Sequence, residues 1–566
     1  MKARSWAALA VGLVVCVVAS YAAYMMADYS WNQVVDYRGP YAASGLPAGG
    51  LADAFSPEAS GTLKGEPGRM VYVIIDGLRE DVSRKMPALN NLRAHGFDAV
   101  VRTSQPSLSF PNWTTLLSGA PQRFSGVTTN WFEERVPVET IVDTALTAGR
   151  TVAVSAPTDF EMLYGVERTG HVFLRDWESG TYMTAGIVDN AIRLARETSA
   201  SLLIVHLPDI DEAGHASGGA SKEYLDTAIR VDGDLGRLVT ALQGPYTTFV
   251  VASDHGHIDT GGHGGPEDVV IRVPAVFAGS GVRPGAGEGT QDQVAPTVAM
   301  LGYLPAPRNA TGEPLDLSAA TDPASTVRFA AQQVAAYAAY AAAVEGPGVR
   351  PDTKLLTVQG ARAEFELATT TRLASERVSR MPASLALAAV CLLAILAVGM
   401  LSWRALVAAL SGTVMYYVVY EGLFFVLHGY RWSLSSFNSE ALLKAFLNGR
   451  MIDAVIAGVF AAAVAADIYL VTRKAPQRPK GEYLPGWLSL GVATVLVIQA
   501  TIGIQVAWYL WQWGASVSWY IPDLALGFKY DLDLVQITGL AVAALLAPVV
   551  TYLVGRYHPI RSPKGA

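Results

Sequence analysis

The sequence predicts an α/β domain with a mainly parallel sheet flanked by helices, joined to an α-helical transmembrane region. Three observations predict it. Between about residues 28 and 380, short apolar, β-branched runs alternate with helical patterns, as in sheets whose strands are linked by crossover helices. From Ala383 onward, long apolar runs dominate. Aspartates and histidines follow directly on several of the strand-like runs, where open α/β sheets place their sites.

Bulk properties agree with a divided chain. Its 566 residues exceed what one hydrophobic core usually serves. With 51% hydrophobic and 16% charged residues and a mean hydropathy of +0.28, it is too apolar for an ordinary soluble enzyme. It is also too polar to lie in lipid throughout. The net charge is −7 and the polar region has no basic stripe, which argues against a nucleic-acid partner. Cys16 and Cys391 both sit inside apolar runs, so neither a disulfide framework nor a thiolate metal site is expected.

Taken in order, the apolar run from about Trp6 to Met26 stands behind Lys2 and Arg4 and is long enough to span a bilayer. It reads as an uncleaved anchor. Ser20-Tyr21-Ala22 is the cleavage site that the alternative, a signal peptide, would need. Residues 28–67 are rich in Gly, Ala, Pro and Ser and read as a linker. Met70–Ile75 is a buried strand ending at Asp76, and Pro87–His95 a helix with proline in its first turn. Thr151–Ser155 and Ser201–His206 repeat the strand pattern, the second delivering Asp209 and Asp211. Ala220–Leu242 is a long helix. Tyr246–Ala252 is a strand delivering Asp254 and His255, and Val270–Ala278 a further strand. Helices over Val327–Val344 and Thr353–Arg380 flank the breaker Gly346-Pro347-Gly348 and lead toward the membrane.

Five more spans follow at about 383–402, 405–427, 451–472, 485–511 and 533–555. If six spans alternate, Lys2, Arg4, Arg404, Arg473, Lys474, Arg478, Lys480, Arg556, Arg561 and Lys564 share one side. By the positive-inside rule that side is the cytoplasm. The expectation is a multi-pass plasma-membrane protein with cytoplasmic termini and residues 28–380 outside. Trp432, Trp508, Trp511, Trp513, Trp519 and Tyr520 gather at the opposite boundary, as interfacial aromatics do. Glu421, Asp453, Asp467, Gln499, Gln505 and Gln536 lie within spans, where polar groups are often functional; they read as helix-to-helix hydrogen-bonding groups or as groups near the lipid headgroups. Glu421, close to Tyr416, Tyr417, Tyr420 and His428, is also suited to meet a lipid headgroup.

Asp76, Asp211, His215, Asp254, His255 and His263 are three aspartates and three histidines in strand-end or glycine-rich contexts. Asp211 and His215 are four apart and face one way on a helical turn. Asp254-His255 directly after a strand can point at two neighbouring sites. His263 lies within Gly261-Gly262-His263-Gly264-Gly265, where backbone can approach a ligand closely. Four of the nine histidines fall between His215 and His263. Carboxylate and imidazole donors of this kind can seat two divalent ions, Zn2+ or Mn2+. Ser109, in Ser107-Leu108-Ser109-Phe110-Pro111-Asn112, stands just before an expected helix start, where an anion is favoured. Its hydroxyl can act as a nucleophile once activated. Ser107, Thr114 and Thr115 are the competing hydroxyls, and plain helix capping is the structural alternative for Ser109.

These segments resemble the alkaline phosphatase superfamily, in its type I phosphodiesterase and nucleotide pyrophosphatase branch, and most of all the GPI ethanolamine phosphate transferases. Asp76-Gly77-Leu78-Arg79, Asp211-x-x-Gly214-His215, Asp254-His255-Gly256 and Gly262-His263-Gly264 are similar to the family's metal motifs, and Ser109-Phe110-Pro111-Asn112 to its nucleophile motif. The resemblance covers about residues 68–280. It implies an alkaline-phosphatase-like fold and one zinc ion on Asp211, His215 and His263. A second ion would sit on Asp76, Asp254, His255 and the Ser109 oxygen. It further implies Ser109 as the covalent nucleophile, and Asn130, 21 residues later, as a donor to a phosphoryl oxygen. His257 stands where the family often has Met and reads as a surface or supporting histidine. Asp209 and Asp259 read as supporting or solvated.

The implied organisation is 1–27 anchor, 28–67 linker, 68–325 catalytic domain, 326–382 helical stalk and 383–566 five-span membrane domain. The implied function is two-metal transfer of a phosphoethanolamine-like headgroup from a phospholipid to a lipid-linked or glycan acceptor. A tethered phosphodiesterase or phosphatase using water is the alternative. A sulfatase is disfavoured because no Cys/Ser-x-Pro-x-Arg motif is present. A non-catalytic scaffold is disfavoured by the complete ligand set.

Overall fold

The computed structural model of the chain describes residues 2–43, 68–178, 180–317, 323–346, 349, 357–472, 484–515, 517 and 519–557. Eight strands form one sheet: β1 (Arg69–Ile75), β2 (Gly96–Arg102), β3 (Val152–Pro157), β4 (Val172–Arg175), β5 (Leu202–Leu207), β6 (Thr247–Ser253), β7 (Arg272–Gly279) and β8 (Gly285–Thr290). Their order is β4-β3-β5-β1-β6-β7-β2-β8. Only β7 opposes its neighbours; all other pairings are parallel. The sheet is therefore mainly parallel, as expected.

The central strand shows why the pattern was readable. Every residue of β1 from Met70 to Ile75 is buried. Tyr72 and Ile74 enter one apolar core, and Val71, Val73 and Ile75 enter the other. Each such side chain contributes about 1.5–3 kcal/mol when fully buried, and both faces are covered by helices. One face carries Thr184–Thr198 and Lys222–Leu242.

The expected strands at 70–75, 151–155, 201–206 and 246–252 coincide with β1, β3, β5 and β6 to within two residues. The strand expected from Val270 begins later, at Arg272, because Asp268–Ile271 closes a helical turn. Strands β2, β4 and β8 were not expected. β8 reads Gly-Ala-Gly-Glu-Gly-Thr and has no apolar period. It exists because Phe97 of β2 lies over Gly285 and Gly287, which leave room for its ring.

Six described helices are long and apolar enough to cross a bilayer. They are α1 (Lys2–Val35), α6 (Val358–Leu401), α7 (Trp403–Glu421, prolonged by a π-helical turn to Leu427), α8 (Leu443–Thr472), α9 (Leu484–Gln512) and α10 (Leu524–Tyr557). The chain is thus a multi-pass membrane protein. Between α1 and α6 lie α2 (Ser109–Ser118), α3 (Asp209–Ser217), α4 (Lys222–Leu242) and α5 (Pro323–Glu345), the last pairing with the start of α6.

Two expected boundaries fall inside continuous helices. The stalk and the first C-terminal span form one 44-residue helix, α6, with Pro382 inside it. The linker expected from residue 28 instead begins as the end of α1. That end docks on the sheet domain: Trp31 meets Trp131 edge-on at 5.0 Å, and Thr128 Oγ1 donates to the Val34 carbonyl at 3.0 Å. The rest of the expected linker, from residue 44 to 67, lies outside the described residues, as do Arg473, Lys474, Arg478, Lys480, Arg561 and Lys564.

Polar side chains within the spans bond between helices. Gln499 Nε2 donates to Ser20 Oγ at 2.9 Å, Gln505 Nε2 to the Tyr417 hydroxyl at 2.8 Å, and the Tyr416 hydroxyl to Gln536 Oε1 at 3.1 Å. Loops at one end of the helices reach the sheet domain: Asn438 contacts His215, and the Trp519 carbonyl faces the Tyr37 hydroxyl at 3.5 Å.

Candidate active site

The site lies at one edge of the sheet, and the topology explains why. The neighbouring strands β5, β1 and β6 run parallel, so their C-terminal ends come out together. They deliver Asp211, Asp76, and Asp254 with His255. β2 ends at the same edge and leads to Ser107–Ser109. Because β7 opposes β6, its start returns to this edge, and the connection before it brings in His263.

Asp76, Asp254 and His255 form one group of metal-capable side chains, all buried. His255 Nε2 is 3.5 Å from Asp76 Oδ1 and 3.4 Å from Asp254 Oδ2. Asp211, His255, His257 and His263 form a second. His215 joins it closely: its Nε2 is 3.3 Å from Asp211 Oδ2 and 3.3 Å from His263 Nε2. All six residues expected from the sequence therefore meet. His255 and His263 stack with ring centroids 3.8 Å apart.

The histidines are oriented by what their other nitrogen touches. His255 Nδ1 lies 3.2 Å from the Gly256 carbonyl, and His263 Nδ1 lies 3.1 Å from the Ser107 carbonyl. A carbonyl only accepts, so each Nδ1 carries the proton and each Nε2 lone pair faces the cluster. Asp254 is held by N–H groups: Trp113 Nε1 donates to Oδ2 at 2.8 Å, and the Gly77 and His255 amides donate to Oδ1 at 3.0 and 2.8 Å.

Ser109 is the first residue of α2 rather than the residue before it. It makes no capping hydrogen bond; its Oγ is 3.2 Å from His255 Nε2. The competing hydroxyls are spent on carbonyls: Ser107 on Gly265, Thr114 on Phe110 and Thr115 on Pro111. Asn130 Oδ1 accepts the Phe110 amide at 3.0 Å, which turns its Nδ2 donor away from that amide.

Electrostatics follow from crowding. Burial, then Asp254 and Asp211, push the Asp76 carboxyl well above the usual carboxylate range. Both its oxygens are buried without a hydrogen-bond partner. Burial lowers His263 well below the ordinary histidine value, with His255 adding to the effect. Burial opposes charge on His215, yet Asp211 and Asn438 outweigh it and push the imidazole up to about 9. For Asp211, burial is likewise outweighed, here by His215 and His257, which hold it well below its ordinary value.

Sequence reasoning set His257 aside as a surface or supporting residue. It is not on the surface: it is fully buried, and its Nε2 donates to Asp211 Oδ1 at 2.7 Å. Burial lowers it to about 4, so it is neutral. Asp209 accepts the Met183 and Thr184 amides and starts the Thr184–Thr198 helix, while exposed Asp259 pairs with Arg79 at 2.7 Å. Three contributors went unread. Trp113 follows Phe110-Pro111-Asn112 with nothing in the sequence to mark its N–H as a partner of Asp254. His206, fully buried with Nε2 3.3 Å from Asp76 Oδ2, looked like the end of a strand. Asn438 lies 223 residues from the His215 it touches.

Comparison with known proteins finds similarity over the segment that carries these residues. Residues 70–271 match the model for "Type I phosphodiesterase / nucleotide pyrophosphatase". The chain is similar to mouse GPI ethanolamine phosphate transferase 1, at 25% identity over 38% of this chain and 26% of that protein. It is also similar to the catalytic subunit of human GPI ethanolamine phosphate transferase 2, at 23% identity over 43% and 27%. The chain thus spans about a quarter of the length of these curated relatives. Among solved structures, murine ectonucleotide pyrophosphatase/phosphodiesterase 5 aligns with a TM-score of 0.35 and 15% identity, over 43% of this chain and 96% of that one. The segment that carries the six ligand candidates, residues 70–271, is thus similar to type I phosphodiesterase / nucleotide pyrophosphatase domains.

Proposed function

We propose that the chain moves a phosphoethanolamine-like headgroup from a lipid donor to a lipid-linked or glycan acceptor, on the outer side of the plasma membrane, through a covalent Ser109 intermediate. The observation that carries this reading is the Ser109 hydroxyl. Among Ser107, Ser109, Thr114 and Thr115, it alone is directed at the Asp/His cluster, 3.2 Å from His255 Nε2. The names of the curated relatives supply the headgroup, and the six apolar helices supply a reason for a lipid donor. The basic flanks of the spans support the orientation.

The residues present fit a pair of divalent ions. Burying a carboxylate with no partner is costly, and both Asp76 oxygens are in that position. Cations on the surrounding oxygen and imidazole donors would relieve it. Asp211, His215 and His263 would hold one ion; Asp76, Asp254, His255 and the Ser109 oxygen the other. When bound, such ions supply Lewis-acid stabilisation of phosphoryl oxygens and lower the pKa of a hydroxyl; Zn2+ suits the donors, and Mn2+ also.

The chain's own groups do the rest. Ser109 Oγ bonds to phosphorus while the P–O bond to the donor's diacylglycerol breaks, and the departing alcohol takes up a proton to match the one Ser109 loses. An acceptor hydroxyl then attacks the same phosphorus and loses its proton, the Oγ–P bond breaks, and Ser109 Oγ takes up a proton to regain its hydroxyl. The start of α2 favours the phosphoryl anion, and Asn130 Nδ2 donates to a non-bridging oxygen.

The test uses the purified full chain with Zn2+ and headgroup-labelled phosphatidylethanolamine. Diacylglycerol together with a labelled acceptor is the expected result. Free phosphoethanolamine alone would instead favour hydrolysis, and cleavage of nucleotide or aryl diesters without lipid turnover rejects the lipid donor. Ser109→Ala should abolish covalent labelling and lower turnover more than about 10³-fold; an unchanged rate refutes the nucleophile.

A further inference from the structure

The loop between α7 and α8 belongs to the membrane region, yet its segment Ser433–Asn438 packs on the loop that carries His263. Ser435 Oγ accepts the Gly265 amide at 3.0 Å and donates to Glu267 Oε2 at 2.7 Å. Asn438 Nδ2 donates to the His215 carbonyl at 2.5 Å, and its Oδ1 stands 3.4 Å from His215 Nδ1. The approach is close enough to exclude side chains. A Cβ on Gly261 (φ +94°) would lie 2.6 Å from Asn438 Oδ1, and one on Gly262 (φ +89°) 2.5 Å from the Ser435 carbonyl oxygen. On sequence, these glycines were expected to admit a ligand. What they admit is the chain's own membrane-side loop.

The three histidines expected as ligands, His215, His255 and His263, are oriented in different ways. His255 and His263 have Nδ1 against carbonyls of their own domain. His215 finds its Nδ1 partner on Asn438. His215 is also the most exposed of the three, with 23% of its side chain accessible against 0% and 4%, so it has the least surrounding packing to fix its ring.

We infer that Asn438 is a positioning residue of the metal site, holding His215 by its carbonyl and its Nδ1–H so that Nε2 faces Asp211 and His263. The inference rests on the reading of Asp211, His215 and His263 as ligands of one ion. It makes metal affinity depend on a loop that is seated only when the membrane region and the sheet domain are docked. A hydrogen-bond partner behind a metal-bound histidine fixes its tautomer and ring orientation, and its loss typically costs about 10–100-fold in metal affinity.

The test is a Zn2+ titration of the full chain in detergent against a chromophoric chelator, with no turnover involved. Asn438→Ala is expected to weaken the affected ion by about 10–100-fold. Asn438→Asp keeps an acceptor for Nδ1 but sets a carboxylate oxygen against the His215 carbonyl that Nδ2 held, so it should recover only part of the affinity. Arg431→Ala, on an exposed residue of the same loop whose guanidinium reaches the Tyr430 carbonyl, should leave affinity at the wild-type level. Asp211→Ala removes a ligand and serves as reference. Affinity lost in Asp211→Ala but kept in Asn438→Ala overturns the positioning role and leaves the site standing. Affinity kept in both, or a wild-type chain that binds no Zn2+, overturns the site and the inference together. Equal losses in Asn438→Ala, Asn438→Asp and Arg431→Ala would trace the effect to loop folding and also overturn it.

Discussion

Gly214→Ala sets two well-defined effects against each other. Gly214 lies inside α3, one residue before His215. Helix propensity alone favours alanine by about 0.8–1 kcal/mol. Packing says the opposite. An alanine Cβ there would stand 2.4 Å from His257 Cδ2, 2.5 Å from Nε2 and 2.6 Å from Cγ. The ring would have to retreat by about 1 Å to reach ordinary contact. His257 is fully buried and sits 2.7 Å from Asp211 Oδ1, so the retreat also breaks that bond. Overpacking costs about 1–3 kcal/mol, and a hydrogen bond to a charged group is worth about 1.5–3 kcal/mol. Offsetting propensity against both leaves a net loss of about 1.5–5 kcal/mol. For a domain of this size that lowers the unfolding midpoint by about 3–20 °C. Intrinsic tryptophan fluorescence of the metal-free protein during heating measures it; Trp113 lies in the core beside the site. Combining Gly214→Ala with His257→Ala should recover part of the loss, because the clashing ring is gone. A midpoint equal to or above wild type in the single variant refutes the reasoning.

Trp113→Phe keeps an aromatic ring near His206 and Phe160 but removes the N–H given to Asp254 Oδ2. Metal affinity should fall about tenfold or more; an unchanged affinity would mean that the Gly77 and His255 amides hold the carboxylate without help. The metal-free protein should also show opposing pH effects. His206 and His257, lowered by burial to about 3 and about 4, bind protons more readily when unfolded, at the ordinary value of 6.5. Their stabilisation is therefore complete above 6.5 and is lost as pH falls toward about 4. His215, raised to about 9, has the opposite sign: its stabilisation is present below 6.5 and lost as pH rises through about 9. Thermal midpoints should thus peak near pH 6.5, falling over about 6.5 to 4 on the acid side and over about 6.5 to 9 on the alkaline side. A midpoint that keeps rising down to pH 4 contradicts the neutral, buried state of His206 and His257.

How much of this was legible depends on how each element is stabilised. β1, β5 and β6 are buried on both faces and so appear in the sequence as continuous apolar runs. The ligands that follow them were legible for the same reason: their positions are set by where those runs stop. β8 was not, because its stability comes from a Phe97 ring lying over glycines rather than from side chains of its own. Of the two readings of His257, surface or supporting, the surface one fails because its burial depends on Gly214, in a helix 43 residues earlier, leaving space for its ring. Asn438 is the extreme case. Ser433 caps a short turn, but nothing in Ser433–Asn438 has a period or a ligand motif, and its meaning exists only once the α7–α8 loop folds back over Gly261 and Gly262. Local physics therefore wrote the ligand set into short strings, while the partners that orient those ligands are distributed over distant segments. It follows that a domain cut out on sequence boundaries alone, at residues 68–325, would keep all six ligands and lose the Asn438 partner of His215. It would also lose the contacts that Trp31 and Val34 of α1 make with Trp131 and Thr128.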